Sequence, residues 1–599
     1  MRNVILFLAA FLVGACTSRQ PATDESPKIQ QVEKSLVSPV RIEGDSLWTI
    51  ESRMAHYGVP GVSIAVIADG KIAWSKGYGV MNKERKEPVT TGTLFQAGSI
   101  SKPVAAYAAL RLVHEGKIDP EGDVNQYLVS WKLPDNEFTQ KQKVTLNQLL
   151  SHSGGVTVHG FPGYPPGVPV PTLVQVLNGE APANTPPIRV DKLPGEGFRY
   201  SGGGYCIMQQ MLIDIEAKSF PEIMQEKVLG PLQMTSSTYE QPLPADRLPL
   251  AATGYIPDGT MTQGERHTYP EMAAAGLWTT AEDLARFAID VQQAYRGQSE
   301  KVLEKEAVAM LTPYHSENTG LGMRVDKHGE DIYFGHGGWD EGFSSDMIAH
   351  RDKGYGVVVL TNSNHPPFID ELIRAVALTY QWSNYVPSYT PLSMTPEDGQ
   401  KIVGRYRYDS DGVSTVFAKD GKVYYQYTDG ELMELFKVSD STFARRERTA
   451  LIQIMKNPGD DKLYLVFRQG TNPPTFDRPR MAEGEKVPFE CFLAGDYARA
   501  KAEYQSFVKA HPEDQFINER AINGRGYDLL SGGKIKEAKA MFAINMELYP
   551  KSANVYDSYA EACMKNGDKD EAIKYYRKSL AMNSDNPRAK KNLESLIGK

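Results

Sequence analysis

Three short stretches of this sequence carry side chains that could move a proton and hold an acyl group. Gly98-Ser99-Ile100-Ser101-Lys102 sets a serine and a lysine one helical turn apart on the same face. A serine hydroxyl is a weak nucleophile until a neighbouring base takes its proton, and a lysine can be that base only where desolvation or a nearby cation makes its own proton easier to lose. Downstream, Arg199-Tyr200-Ser201-Gly202-Gly203-Gly204-Tyr205 reads as a glycine-rich turn that presents Tyr200 from a loop, ahead of an apolar helix from Ile207 to Ile213. The third stretch is Phe334-Gly335-His336-Gly337-Gly338-Trp339, followed by Gly342-Phe343-Ser344-Ser345. Its glycines would let a substrate lie along a strand edge. The Ser-x-x-Lys spacing alone is weak evidence, because Ser506/Lys509 and Ser531/Lys534 repeat it. The bland alternative makes Ser99 a helix N-cap and Lys102 part of a solvated face. No His-Glu-x-x-His occurs around any of the 11 histidines and no phosphate-cradling loop is evident, so no metal, nucleotide or other cofactor is implied.

These residues need a frame. From Gly61 an apolar run to Ala68, the dipeptide Asp69-Gly70 and then Lys71-Ile72-Ala73-Trp74 predict a β-hairpin. Lys102 to His114 has Ala105, Ala108, Ala109, Leu112 and Val113 at helical spacing with Gly116 just beyond, a helix expected to be buried on one face. Strands return at Phe343 to Ile348 and Gly356 to Thr361, which suggests one sheet closed by distant segments. After Pro391 the pattern changes to short strands, Ser414 to Ala418 and Lys422 to Tyr427 around Asp420-Gly421, then Lys462 to Phe467. From Phe489 it is helical and repetitive. Gly495, Gly533 and Gly567 each precede Ala500, Ala538 and Ala572 by five residues, and Tyr504, Phe542 and Tyr576 follow four further on. With Pro512 and Pro550 each twelve residues after their alanine, the pattern resembles tetratricopeptide repeats, whose period is about 34 residues.

The chain has 599 residues, of which 41% are hydrophobic and 23% charged, a globular composition that excludes a largely disordered chain. The 66 Lys+Arg stand against 74 Asp+Glu, giving a net charge of -8 with no basic footprint, so no nucleic-acid partner is expected. The run from Val4 to Ala15 is too short to span a membrane and reads as an export signal. Its end, Leu12-Val13-Gly14-Ala15-Cys16, resembles the cleavage box of bacterial lipoproteins, with Cys16 as the lipidated residue and Thr17 to Pro27 as a polar tether; a plain secretory signal is the alternative. The remaining cysteines, Cys206, Cys491 and Cys563, show no Cys-x-x-Cys spacing.

The order Ser-x-x-Lys, Tyr, His-Gly-Gly resembles the serine β-lactamase and penicillin-binding-protein superfamily, in the class C-like branch that also holds esterases and D-amino-acid peptidases. Val144 to Gly155 and Ala275 to Leu284 look like further segments of that branch. The resemblance implies an α/β (α+β) fold, an antiparallel sheet flanked by helices with a helical subdomain, followed by a small β-barrel-like domain and an α-helical repeat domain. The expected organisation is a signal peptide at 1–15, a tether at 16–44, the hydrolase domain at 45–385, the β domain at 390–480 and the repeats at 487–599.

Carried over residue by residue, the resemblance makes Ser99 the acylated nucleophile, Lys102 its partner and Tyr200 the second proton-transfer group. Lysine and tyrosine side by side in a dry pocket can shuttle one proton as ammonium and phenolate. The backbone N–H groups of Ser99 and Trp339 would form the oxyanion hole. His336 stands where the lactamases have a lysine, and with Gly337 and Gly338 would bind the substrate acyl group. Gly202 stands where penicillin binders offer an asparagine amide, so specialised β-lactamase activity is less expected. His152 reads as a structural hydrogen-bonding residue. The implied protein is an exported serine hydrolase, lipid-anchored in a bacterial cell envelope (periplasm or outer membrane), acting on an ester or amide of a small molecule or peptide. The repeats offer a surface for a protein partner. The alternatives are a β-lactamase or penicillin binder, and a catalytically weak scaffold that recruits partners.

Overall fold

The computed structural model describes residues 25–311, 319–470 and 472–598. Cys16 and the export segment 1–15 lie outside them. The chain forms two compact units, one of residues 25–37 with Ser46–Val386 and one of Ser38–Asp45 with Pro387–Lys599.

The first unit is built on a seven-stranded antiparallel sheet. In spatial order its strands are Glu87–Pro88, Lys71–Asn82, Gly61–Ala68, Gly356–Thr361, Phe343–His350, Asp331–Asp340 and Arg324–His328. Both residues of the expected hairpin turn are left-handed, Asp69 at φ 52° and Gly70 at φ 68°, the geometry that matches the twist of the flanking strands. The strand Gly61–Ala68 is buried on both faces, between a core containing Trp74 and helix Pro366–Thr379 and a second core containing helices Ser101–His114 and Ala281–Tyr295. Helix Ser101–His114 differs from expectation. Eleven of its residues are buried, all round rather than on one face, because it is enclosed between the sheet and the helices Gly202–Glu216 and Met272–Ala275. Its alanines permit that close approach.

The segment expected as a tether at 16–44 is ordered where it is described. Ser26–Glu33 is a helix packed on Pro366–Thr379, and Val32 and Leu36 are buried in the first unit. Val40 and Ile42 are buried in the second unit, where Arg41–Ile42 pairs in parallel with Ser388–Tyr389. Apolar residues spaced through a polar stretch find cores to enter, and burial overrides the composition.

The second unit joins a seven-stranded antiparallel meander, Gly404–Arg407 to Leu463–Arg468, to seven helices from Pro488 onward. Arg478 to Met481 close the sheet into a nearly complete barrel by bonding to both its first and last strands: Arg407 N–H donates to Pro479 O and Leu465 N–H to Arg478 O. Asp420 and Gly421 form a second left-handed turn pair. In the helices, Ala500, Tyr504, Ala538, Phe542, Ala572 and Tyr576 are all fully buried, and Gly495, Gly533 and Gly567 occupy left-handed positions between paired helices. Among the described residues no helix is long and apolar enough to cross a membrane.

The barrel and helices share one buried carboxylate. Asp411, in the loop after Gly404–Arg407, accepts from Phe489 N–H at 2.9 Å and Tyr504 Oη at 2.7 Å, and lies 2.7 Å from Arg525 Nε. Burial pushes the carboxyl up to about 6 against the pull of Arg525. Asp411→Ala leaves a partly buried guanidinium without its counter-ion and Phe489 N–H and Tyr504 Oη without their acceptor, which should cost about 2 kcal/mol or more, whereas Asp411→Asn keeps an acceptor and should cost less. Thermal unfolding of the full chain checks this ranking; equal melting of wild type and Asp411→Ala contradicts it.

Candidate active site

Ser99 sits in a single 3-10 turn, Gly98–Ile100, that runs directly into helix Ser101–His114. Gly98 makes that turn possible. Its φ is +52°, and a Cβ at this position would lie 2.5 Å from Trp339 N, so only glycine brings the turn against the end of strand Asp331–Asp340. The hydroxyl of Ser101 ties the turn down, donating to Gly98 O at 2.6 Å and accepting from Leu277 N–H at 2.9 Å.

Lys102 is 2% exposed, not on a solvated face, and Ser99 is not the helix cap, which falls on Ile100 without a side-chain bond. Instead Lys102 Nζ donates to Ser99 Oγ at 2.9 Å and to Ala274 O at 2.8 Å. The same nitrogen lies 5.0 Å from the ring centre of Tyr200 and 5.7 Å from that of Tyr205. Buried next to a hydroxyl, a carbonyl and two aromatic faces, it is held in one place by short-range contacts.

Tyr200 is positioned from behind. Ser201 caps helix Gly202–Glu216, its Oγ accepting from Gly204 N–H at 3.0 Å and donating to Thr157 O at 2.8 Å. The glycines expected as a free turn are thus the first turn of the helix. They are needed for contact: a Cβ on Gly203 would lie 2.5 Å from Thr157 O, and one on Gly202 would lie 2.8 Å from Phe161. Phe161 therefore fills the space beside position 202, where a longer side chain would have to go. Ser201 N–H donates to His152 Nδ1 at 3.1 Å, and the His152 ring lies 4.3 Å from that of Tyr200. Burial, and next the charge of Lys102, hold His152 well below its ordinary range, so the ring is neutral and its proton is on Nε2. The structural reading of His152 fits this geometry.

The far wall is the strand Asp331–Asp340. Its neighbour Arg324–His328 pairs with it only as far as Gly335, so residues 336 to 339 keep one edge unpaired. On the other edge Gly337 pairs with Asp346 and Gly338 with Ser345. Ser345 Oγ donates to Ala97 O at 2.9 Å, stapling the strands to the residue before the Ser99 turn. His336 Nδ1 lies 2.6 Å from Gly337 O and must donate to it, which leaves Nε2 as an acceptor. Burial, then Lys102, push His336 down to about 3, so this position carries no fixed cation at neutral pH.

Ser99, Tyr200, His336, Gly337, Gly338 and Trp339 all line one cleft. The sequence-expected residues are therefore brought together, with Lys102 behind them. His159, Phe198, Asp346 and Asp370 also line it, and sequence reasoning did not single them out. A second lobe, reached past Tyr200, His336 and Gly337, is apolar, with Leu150, Phe198 and Met323 in its wall. The only group of three potential metal ligands among the described residues, Cys563, Asp568 and Glu571, lies in the helical repeats, where Lys539 Nζ already donates to both carboxylates at 2.6 Å.

Residues 49–381 match the family described as Beta-lactamase, and residues 553–586 match the Tetratricopeptide repeat. "Protein flp" of Staphylococcus aureus strain N315 is 26% identical over 344 residues, 54% of this chain; the match spans 64% of the staphylococcal protein's length. A "Putative D-alanyl-D-alanine carboxypeptidase" of Escherichia coli K12 is 23% identical over 416 residues, 62% of this chain and 93% of its own. Among solved structures, the octameric penicillin-binding protein homologue from Pyrococcus abyssi aligns over 72% of this chain and 98% of its own, with 23% identity and a TM-score of 0.49.

Proposed function

Because the chain belongs to the beta-lactamase family of serine hydrolases, its match covering more than half the sequence, we propose that the cleft cleaves an ester or amide through an acyl-enzyme on Ser99. The observation that carries this reading is the 2.9 Å contact between Lys102 Nζ and Ser99 Oγ inside a cleft shared with Tyr200. In acylation the Ser99 oxygen attacks the carbonyl carbon while its proton passes to the Lys102–Tyr200 pair, and the same pair returns a proton to the leaving group. Deacylation repeats the sequence with water as nucleophile. The N–H groups of Ser99 and Trp339 serve the developing oxyanion, and the unpaired edge from His336 to Gly338 receives the acyl chain.

For substrate we propose a small ester or an amide, including a peptide with D-amino acids, the class that the description of the E. coli relative suggests. A β-lactam is disfavoured by Phe161 beside position 202 and by the uncharged His336. A panel of p-nitrophenyl esters, D-alanyl peptides and a chromogenic cephalosporin, run beside Ser99→Ala, tests the assignment; a preference for the cephalosporin reverses the ranking.

Export with lipid attachment at Cys16 is part of the same proposal, resting on the apolar run Val4 to Ala15 before it. Cys16→Ser should move the protein from the membrane to the soluble fraction of its host and remove label from a fatty-acid probe; unchanged fractionation opposes it. The repeats are proposed to hold a peptide or protein partner, as stacked helix pairs commonly do.

A further inference from the structure

Two buried carboxyl groups near the nucleophile have no part in the acyl transfer above. Asp340 ends the strand Asp331–Asp340, directly after Trp339, and is 2% exposed. Glu271, fully buried, caps the short helix Met272–Ala275. Neither oxygen of either carboxyl has a hydrogen-bond partner of normal geometry among the described residues. An interior carboxylate without a partner is strongly disfavoured, and such a group keeps its proton instead.

Their surroundings connect both to the reaction. Asp340 is faced by Lys102 from the nucleophile helix and by the Gly98 N–H from the 3-10 turn, which favour its ionised form. Glu271, from the segment before Met272–Ala275, opposes ionisation. Tyr269 of that segment also lies beside Asp340, its hydroxyl accepting from Glu341 N–H at 3.1 Å, and Asn364 Nδ2 donates to the Asp340 carbonyl at 2.9 Å. Burial outweighs the two favourable neighbours and holds Asp340 well above the usual carboxylate range; it pushes Glu271 up to about 8. Asp340 adjoins the residue whose backbone meets Gly98, and Glu271 starts the turn whose Ala274 carbonyl accepts from Lys102.

We propose that Asp340 is a positioning residue of this site and that, with Glu271, it stands behind Ser99 and Lys102 as an uncharged acid, shaping the turn without placing a fixed anion beside the lysine. The proposal rests on the hydrolase reading. A carboxylate at Asp340 would hold the proton shared by Lys102 and Tyr200 on the lysine and hinder its passage to the leaving group.

The charge state also appears in stability. For Glu271 the ordinary value is 4.5 and the native value about 8, so its contribution is fully present below pH 4.5 and is lost as pH rises through about 8, where the native state must also ionise.

The experiment measures kcat/KM for a p-nitrophenyl ester from pH 6 to 10, with melting temperature in parallel, on full-length wild type, Asp340→Asn, Glu271→Gln and Asp340→Ala. At pH 7 Asp340→Asn and Glu271→Gln should keep kcat/KM within about threefold of wild type, an uncharged amide standing in for an uncharged acid. Glu271→Gln should melt above wild type at pH 9, where native Glu271 must ionise, with a smaller difference at pH 5. Asp340→Ala should lose about tenfold or more at every pH, and Asp340→Asn should restore most of that loss. An Asp340→Asn variant as inactive as Asp340→Ala at pH 7 would show that an anion is required, and a Glu271→Gln melting temperature that tracks wild type at both pH 5 and pH 9 would show that Glu271 is not held as the neutral acid; either overturns the proposal. If wild type shows no Ser99-dependent turnover, the hydrolase reading fails, and the melting series still decides the charge state of the pair.

Discussion

Replacing Ser99 by Ala should lower ester turnover by roughly a thousandfold or more and abolish the mass adduct formed with a serine-reactive phosphonate. The expectation follows from how the side chains packed around Ser99 are engaged. Lys102 Nζ is buried and engaged with Ser99 Oγ and Ala274 O, His336 points one ring nitrogen at its own neighbouring carbonyl, and His152 lies behind Tyr200 with Nδ1 occupied by Ser201 N–H. Removing one oxygen leaves the rest of this arrangement standing, so the variant should fold and keep its melting temperature. Turnover that survived in Ser99→Ala would move the chemistry to another residue, and a phosphonate adduct that survived would show that another nucleophile reacts.

The second large effect is steric and separates two adjacent glycines. A Cβ on Gly338 would fall 2.0 Å from Ala97 O and 2.1 Å from Ser345 Oγ. The serine could rotate away, but the Ala97 carbonyl belongs to the backbone that leads into the Ser99 turn, and it cannot give way without moving Ser99. Gly338→Ala should therefore cost about 2 kcal/mol of stability and about a hundredfold in kcat/KM. A Cβ on Gly337 meets nothing closer than 3.7 Å, so Gly337→Ala should melt close to wild type whatever it does to substrate binding. Thermal melts and kinetics on both variants decide the matter; a Gly338→Ala protein with native kinetics would show that the strand and turn are less tightly joined than their contacts require.

Local chemistry made some of this arrangement legible in the sequence. Asp69-Gly70 and Asp420-Gly421 form left-handed turns because those residue types tolerate positive φ at low cost, and nothing distant is needed to read them. The Ser-x-x-Lys spacing and the alanine-aromatic pairs of the helical repeats are likewise set within one or two helical turns. What escaped depended on distant partners. The all-round burial of helix Ser101–His114 comes from elements before and after it in the chain, the helical state of Gly202 to Gly204 from a close approach to the segment Thr157 to Phe161, and the order of residues 25 to 44 from cores completed by residues beyond 360. His159, Phe198, Asp346 and Asp370 reach the cleft from four separated stretches, and no short motif contains their positions. Asp340 and Glu271 gave no signal either, since an acid in a sequence is expected at the surface and only the fold reveals that these two are enclosed.

The pairing of Ile64 with Val359 at the middle of the first sheet has a temporal consequence. The strand Gly61–Ala68 is among the first synthesised and has two neighbours, its hairpin partner and a strand completed only at Thr361. Ser99 likewise leaves the ribosome far ahead of Trp339, against which its turn must close. Loop closure of this length is slow compared with helix or hairpin formation. A nascent or truncated chain ending before the late strands thus carries Ser99 without its opposite wall, and the cleft is completed only near the end of the first unit's synthesis.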